Sequence, residues 1–255
     1  MSWSPAQYLK FAQPRLRPAI DLLARVPLDK PRRVDDLGCG TGSLTRLMAE
    51  RWPQAQVTGV DASAAMLDQA SGLLPNLRWQ QQDLANWAPE SPPDLIYSNA
   101  ALHWLPDHAL LLPRLFGHLA PGGMLAVQMP RNFAAPSHTA IADTVHGGPW
   151  RAKLEPLLRP APVAEPAWYA DLLLPLAAEL DLWETEYHQL LTGPDPVKEW
   201  TKGTWLAPFL AALDGEERDA FERDYAARVR SAYPTRADGT TVFPFRRLFI
   251  VARKG

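Results

Sequence analysis

The chain has 255 residues, 47% apolar and 21% charged, which fits a folded globular domain and excludes a disordered polymer. A formal net charge of −2 excludes the basic surface of a non-specific nucleic-acid binder, and no apolar run approaches the length that crosses a bilayer. The single cysteine, Cys39, allows no intramolecular disulfide and no N-terminal stretch reads as a secretory signal, so a cytoplasmic location is expected.

In chain order, a short run over 33–37 predicts a strand that enters the cluster Gly38-Cys39-Gly40-Thr41-Gly42. Leu44, Leu47, Met48 and Trp52 then recur at helical spacing until Pro53. A second strand is predicted over 56–61, ending at Asp61, with Ser63 placed to cap a helix carrying Met66, Leu67 and Ala70 on one face. A third strand is expected over 77–82, just before Asp83, and a fourth over 94–99. Leu110, Leu111, Leu115 and Leu119 predict a helix that Pro121-Gly122-Gly123 ends, ahead of a fifth strand over 124–129. Alternation of this kind implies a parallel sheet with right-handed crossovers. Beyond it, the pattern predicts a helix over 168–180, a strand over 182–188, helices between Pro194 and Tyr233, and a last strand over 247–252. The 26 prolines are scattered over many short connections, and the ten tryptophans require either a large core or an aromatic-lined pocket.

A glycine-rich turn between strand and helix lets a ligand approach backbone N–H groups, because no Cβ intervenes. Asp61, about 20 residues further on at the end of the next strand, suits the two hydroxyls of a ribose. Several details separate the possible ligands. In a dinucleotide fingerprint the third glycine falls three positions after the second, whereas Gly42 follows Gly40 by two. Asp83 ends the third strand, where it suits the exocyclic amine of adenine, and Asp36 precedes the turn. Acids without a nearby lysine favour the cationic, phosphate-free S-adenosylmethionine over a dinucleotide.

The segment Asp35-Asp36-Leu37-Gly38-Cys39-Gly40-Thr41-Gly42 resembles the first motif of the class I S-adenosylmethionine-dependent methyltransferases. Gly59-Val60-Asp61-Ala62-Ser63, Asp83-Leu84 and Leu119-Ala120-Pro121-Gly122-Gly123 resemble the later motifs of that superfamily, in order. Within it, Trp3-Ser4-Pro5, Tyr8-Leu9, Arg17-Pro18, the run from Asn99 to His108, Ala126-Val127-Gln128-Met129-Pro130 and the closing run from Arg247 to Arg253 are similar to trans-aconitate 2-methyltransferases.

The resemblance implies a Rossmann-like α/β fold with a mostly parallel seven-stranded sheet, an antiparallel last strand and a helical cap. It implies one methyltransferase domain over 1–255, with an N-terminal helical segment at 1–30, a sheet core at 30–190 and 240–255, and a cap at 194–235. It also implies S-adenosyl-L-methionine as cofactor. Gly38, Cys39 and Gly40 would face the methionine part with Asn99 nearby, and Asp61 would hold the ribose. Ala62 and Met66 would flank the adenine, and Asp83 and Leu84 would read its edge.

Methyl transfer to an ionised carboxylate needs no base, so cations and donors are expected around the acceptor rather than a catalytic dyad. His103, Arg131 and Asn132 are positioning candidates. Tyr8, Arg17, Trp104, Arg131, Trp200 and Arg246 are substrate-binding candidates. For each arginine the alternative is a solvated surface charge, and for Trp200, Trp205 and Tyr233 it is helix packing. His138 and His188 carry no assigned role. Cys39 reads as a small residue in the turn rather than a nucleophile, and no zinc-type spacing occurs, so no metal is expected. The expected acceptor is trans-aconitate. The alternatives are another small acid or an acyl-carrier-linked dicarboxylate, a NAD-dependent oxidoreductase, and a non-catalytic S-adenosylmethionine sensor. The sequence leaves the oligomeric state open.

Overall fold

The computed structural model describes residues 12–74 and 77–255, with side chains from Leu16 onward. Helix α1 spans Ala12–Ala24. An alternating series follows: β1 Arg33–Leu37, α2 Ser43–Arg51, β2 Gln56–Asp61, α3 Ala64–Leu73, β3 Arg78–Gln81, β4 Leu95–Asn99, α4 His108–Gly117 and β5 Met124–Pro130. The remaining elements are α5 Pro136–Gly147, α6 Arg151–Leu154, α7 Pro166–Leu173, β6 Ala177–Thr192, α8 Pro196–Lys202, α9 Ala207–Ala211, α10 Gly215–Ala232 and β7 Thr240–Lys254.

The seven strands lie in the order β3-β2-β1-β4-β5-β7-β6. The pairs β1–β2, β1–β4, β2–β3 and β4–β5 are parallel, with Val34 beside both Val57 and Leu95. β7 runs antiparallel to β5: the N–H of Lys254 donates to Gly123 O, while that of Arg131 donates to Arg246 O. The fold expected from the resemblance is therefore the observed one. Order reverses between β1 and β4, the place where ligands bind in open α/β sheets, at the carboxyl ends of the strands.

Two compact units divide the chain. The first comprises Arg17–Pro130, Pro162–Thr185 and Leu248–Gly255. Its central strands are apolar on both faces, with Val34, Leu37, Val60, Leu95, Ile96 and Leu125 fully buried, as strands covered by helices must be. The second contains Arg131–Ala161 and Glu186–Arg247. Its core gathers Trp150, Trp200, Phe209, Phe221, Tyr225, Phe243 and Phe245 around the packed helices α5 and α10. Edge-to-face pairs such as Trp150 on Phe221 and Trp200 on Phe243 fit the ring quadrupoles. Among the described residues no helix is long and apolar enough to cross a membrane.

Three elements differ from the sequence reading. The helix expected to reach residue 180 stops at Leu173, and β6 is already a strand at Ala177. Residues 177–180 are good helix formers, but pairing beside β7 overrides that preference: Arg253 Nε bonds Glu179 at 3.1 Å, and Trp183 stacks on Phe249 at 4.8 Å. β7 begins at Thr240 rather than 247, running through Pro244, the residue that argues against a strand in sequence. Helix α5 arises where no element was predicted, beginning with Pro136 in its first turn, where a missing N–H costs nothing.

Candidate functional site

The turn after β1 hangs from the end of β2. The N–H groups of Gly38 and Cys39 both donate to Val60 O, at 2.8 and 3.1 Å. Gly38 has φ +78°, and a Cβ there would lie 2.2 Å from the Ala101 Cβ and 3.7 Å from Leu84. Gly40, at φ +55°, faces open space, and Gly42 packs under the Trp79 ring. Gly40 N–H donates to Asp61 Oδ2 and Ser63 N–H to Asp61 Oδ1, each at 2.9 Å. Both carboxylate oxygens are thereby oriented, and each keeps a second lone pair for a ligand hydroxyl. The Ser63 hydroxyl accepts from Met66 N–H and caps α3.

Behind the turn Asp36 is buried and accepts from Thr45 Oγ1 at 2.7 Å. Burial pushes its carboxyl up to about 7, with the Asp61 charge adding to the rise against the Thr45 hydrogen bond. Burial likewise raises its neighbour Asp35 to about 6 against the pull of Arg33. The Cys39 thiol is driven far above its ordinary value by burial, then by Asp36 and Asp61, which leaves it protonated and unfit as a nucleophile.

The raised Asp36 value has a thermodynamic consequence. Because its folded value exceeds the unfolded one, the folded chain binds more protons between about pH 4 and pH 7. The stability tied to this group is full below about pH 4 and is lost as pH rises through about 7. Asp36→Asn keeps an acceptor for Thr45 and removes the charge. Without ligand it should exceed the parent in stability at pH 8 by on the order of 1–3 kcal/mol, with the gap closing toward pH 4. Urea unfolding at pH 4, 6 and 8 checks this; a gap independent of pH would contradict it.

Around the rim, Asp83 is exposed and accepts from Ala85 N–H at 2.9 Å, while Leu84 is buried against the glycine turn. Arg114, from α4, donates to Leu84 O and Trp87 O and ties this loop down. Ala62 is exposed and Met66 buried at the start of α3. Asn99 ends β4 with its Oδ1 buried and without a hydrogen-bond partner among the described residues. Ala100 follows in the left-handed region at φ +53°, held by its N–H to Gln128 O at 2.9 Å. The next turn carries His103, buried, against Trp104, exposed, with ring centroids 4.6 Å apart. It is fastened by His108, whose Nε2 meets Leu102 O at 3.0 Å and whose Nδ1 meets the Tyr169 hydroxyl at 2.7 Å.

Gly38, Cys39, Gly40, Asp61, Leu84 and Asn99 thus stand at or beyond the carboxyl ends of β1, β2, β3 and β4, within one unit. The sequence reading gave no role to Thr45 or Trp79, and took Ala100 and Ala101 only as part of the run from Asn99 to His108. Only Trp79 left a trace, in the two glycines, Gly42 and Gly59, that make room for its ring.

The other candidates are placed as follows. Arg17 lies exposed on α1, 4.0 Å from Asp21. In the second unit Arg131 follows β5, and its N–H donates to Arg246 O, while Arg246 N–H donates to Asn132 Oδ1 at 3.2 Å. The Arg246 guanidinium is exposed, 3.7 Å from Glu186. Trp200 packs in the core between Phe243 and Phe245. Tyr8 lies outside the described residues. Among the described residues no group of three or more His, Cys, Asp or Glu is arranged to hold a metal ion.

Residues 34–123 match the family described as methyltransferase domain. The trans-aconitate 2-methyltransferase of Azoarcus sp. (strain BH72) is 53% identical over 251 residues, 98% of each chain. The chain belongs to the trans-aconitate 2-methyltransferase family. A second member, from Methylobacterium radiotolerans, is 51% identical over 99% of this chain and 98% of its own. Among solved structures, Haemonchus contortus phosphoethanolamine N-methyltransferase 2 in complex with S-adenosyl-L-methionine has a TM-score of 0.56 at 16% identity. It is covered over 53% of its length and this chain over 94%, a likeness of fold. The matched stretch 34–123 contains the glycine turn, Asp61, Asp83 and Asn99.

Proposed function

We infer that the chain transfers the methyl group of S-adenosyl-L-methionine to a carboxylate of trans-aconitate, giving the monomethyl ester and S-adenosyl-L-homocysteine. The observation that carries this reading is the near-complete, 53% identical match to a trans-aconitate 2-methyltransferase. The residues present fit the cofactor. The Asp61 carboxylate is pre-set by two backbone amides to receive a ribose diol, and the buried Asn99 Oδ1 offers an unpaired acceptor to an ammonium group. Open space over Gly40 admits a ligand against the backbone.

When bound, S-adenosyl-L-methionine supplies a methyl group on a sulfonium sulfur, which departs as a thioether when the acceptor oxygen bonds to the methyl carbon. The chain's own residues then have three tasks. Asp61 and the glycine turn hold the ribose and methionine parts, with Asp83 and Leu84 at the adenine edge and Ala62 and Met66 on its faces. Asp36, ionised more readily when a cation is bound nearby, supports that positive charge. The acceptor is an anion already, so no side chain need remove a proton, and rate comes from holding the reactants in line. Arg131 and Arg246, bound to each other through the backbone, supply two guanidinium groups for carboxylates, beside Asn132. Arg17, Tyr8, Trp104 and His103 remain proposed contributors to orientation, whereas packing accounts for Trp200.

Incubation with methyl-labelled S-adenosyl-L-methionine and a panel of carboxylic acids tests the reading. The expected outcome is a base-labile methyl ester on trans-aconitate. Transfer to another acid or to an acyl-carrier-linked dicarboxylate, with none to trans-aconitate, would overturn it.

A further inference from the structure

In the second unit a hydrogen-bond chain of fixed direction ends on His138. Arg246 N–H donates to Asn132 Oδ1, which leaves the Asn132 Nδ2–H to donate to Ser137 Oγ at 3.2 Å. Ser137 is fully buried, and its hydroxyl proton has one acceptor within reach, His138 Nδ1 at 3.0 Å. Nδ1 therefore accepts, and the proton of the neutral imidazole sits on Nε2. Burial keeps that imidazole neutral, lowering it to about 4. No described protein atom accepts from Nε2. The ring stands edge-on to Phe133 at 5.2 Å, and Phe133 in turn lies 4.9 Å from Trp205. Phe133, His138 and Trp205 are each half-buried.

A histidine that served only to satisfy Ser137 would need Nδ1 alone. Here the second nitrogen is left over as an uncharged donor, on a ring that adjoins Phe133 at 5.2 Å and Trp205 at 6.1 Å. We propose that His138 recognises the acceptor: Nε2–H donates to a carboxylate of trans-aconitate, while Phe133 and Trp205 bear its flat, conjugated carbon frame. The inference rests on the acceptor reading above. A neutral donor orients a carboxylate without holding a proton that the anion would compete for, so the acceptor keeps its lone pairs. Flat aromatic walls favour an unsaturated acid over its saturated counterpart, whose backbone is puckered.

Two amide substitutions separate recognition from packing. Gln places its amide nitrogen near the position of Nε2, whereas Asn places its amide near Nδ1 and still satisfies Ser137. His138→Asn is expected to raise KM for trans-aconitate about tenfold to a hundredfold, and His138→Gln to leave it within about threefold. Calorimetric affinity for S-adenosyl-L-homocysteine should stay unchanged in both, which also reports that each variant is folded. Trp205→Leu should narrow the preference for trans-aconitate over tricarballylate, its saturated analogue. The reverse order, with Asn tolerated and Gln not, assigns His138 to packing and overturns the inference, as does an unchanged KM in both. Failure of the parent protein to methylate trans-aconitate overturns the acceptor reading, and the inference with it.

Discussion

Asp61→Ala is expected to weaken binding of S-adenosyl-L-homocysteine by about thirtyfold to a hundredfold, some 2–3 kcal/mol, in isothermal titration. Two losses combine. On the proposed assignment the ribose loses a charged acceptor, and Gly40 N–H and Ser63 N–H lose the oxygens that orient them. The second loss loosens the backbone of the glycine turn where the ligand must approach it. Asp61 is only half-buried and the Ser63 hydroxyl cap on Met66 N–H survives, so the fold should persist, with cooperative unfolding retained. The substitution also removes a negative neighbour of Asp36, which should shift that carboxyl back toward its ordinary range. Unchanged affinity would place the ribose elsewhere and disconnect the turn from the cofactor.

Much of this site was legible because the chain writes it in short-range terms. The strand, glycine turn and helix from Arg33 to Arg51, and the acid at the end of β2, are local features, and local spacing carried them. Asp36 was noticed as an acid before the turn, but its partner Thr45 lies in the first turn of α2, where nothing in the sequence marks it. The approach of Ala101 to Gly38 joins positions 63 apart, so only the folded sheet reveals it. The second half was harder to read for a different reason. β6 opens with residues that favour helix and β7 contains a proline, so both strands depend on pairing rather than propensity. His138 was visible as a histidine without a role. Its meaning depends on the direction of the bonds from Arg246, Asn132 and Ser137, a long-range property of the strand ends and α5.

Gly38→Ala should be far more damaging than Gly40→Ala, although both residues hold a positive φ. Each substitution pays the left-handed strain of about 1–2 kcal/mol. At Gly40 the new methyl meets nothing within 4 Å, so the ligand-free protein should lose little more than that. Its methyl then occupies the space over the turn, and the loss should appear as weaker cofactor binding. At Gly38 the methyl would fall 2.2 Å from the Ala101 Cβ, well inside van der Waals contact, and Ala101 belongs to backbone already held at Ala100 in a left-handed conformation. Neither side can yield without moving the turn or the end of β4 with Asn99. A loss of about 3–5 kcal/mol in urea unfolding is expected, together with loss of measurable cofactor binding. Pairing Gly38→Ala with Ala101→Gly deletes the colliding carbon and should recover the steric part, leaving the strain. If the double variant is no more stable than Gly38→Ala alone, the close approach of these two residues is not what demands a glycine at position 38.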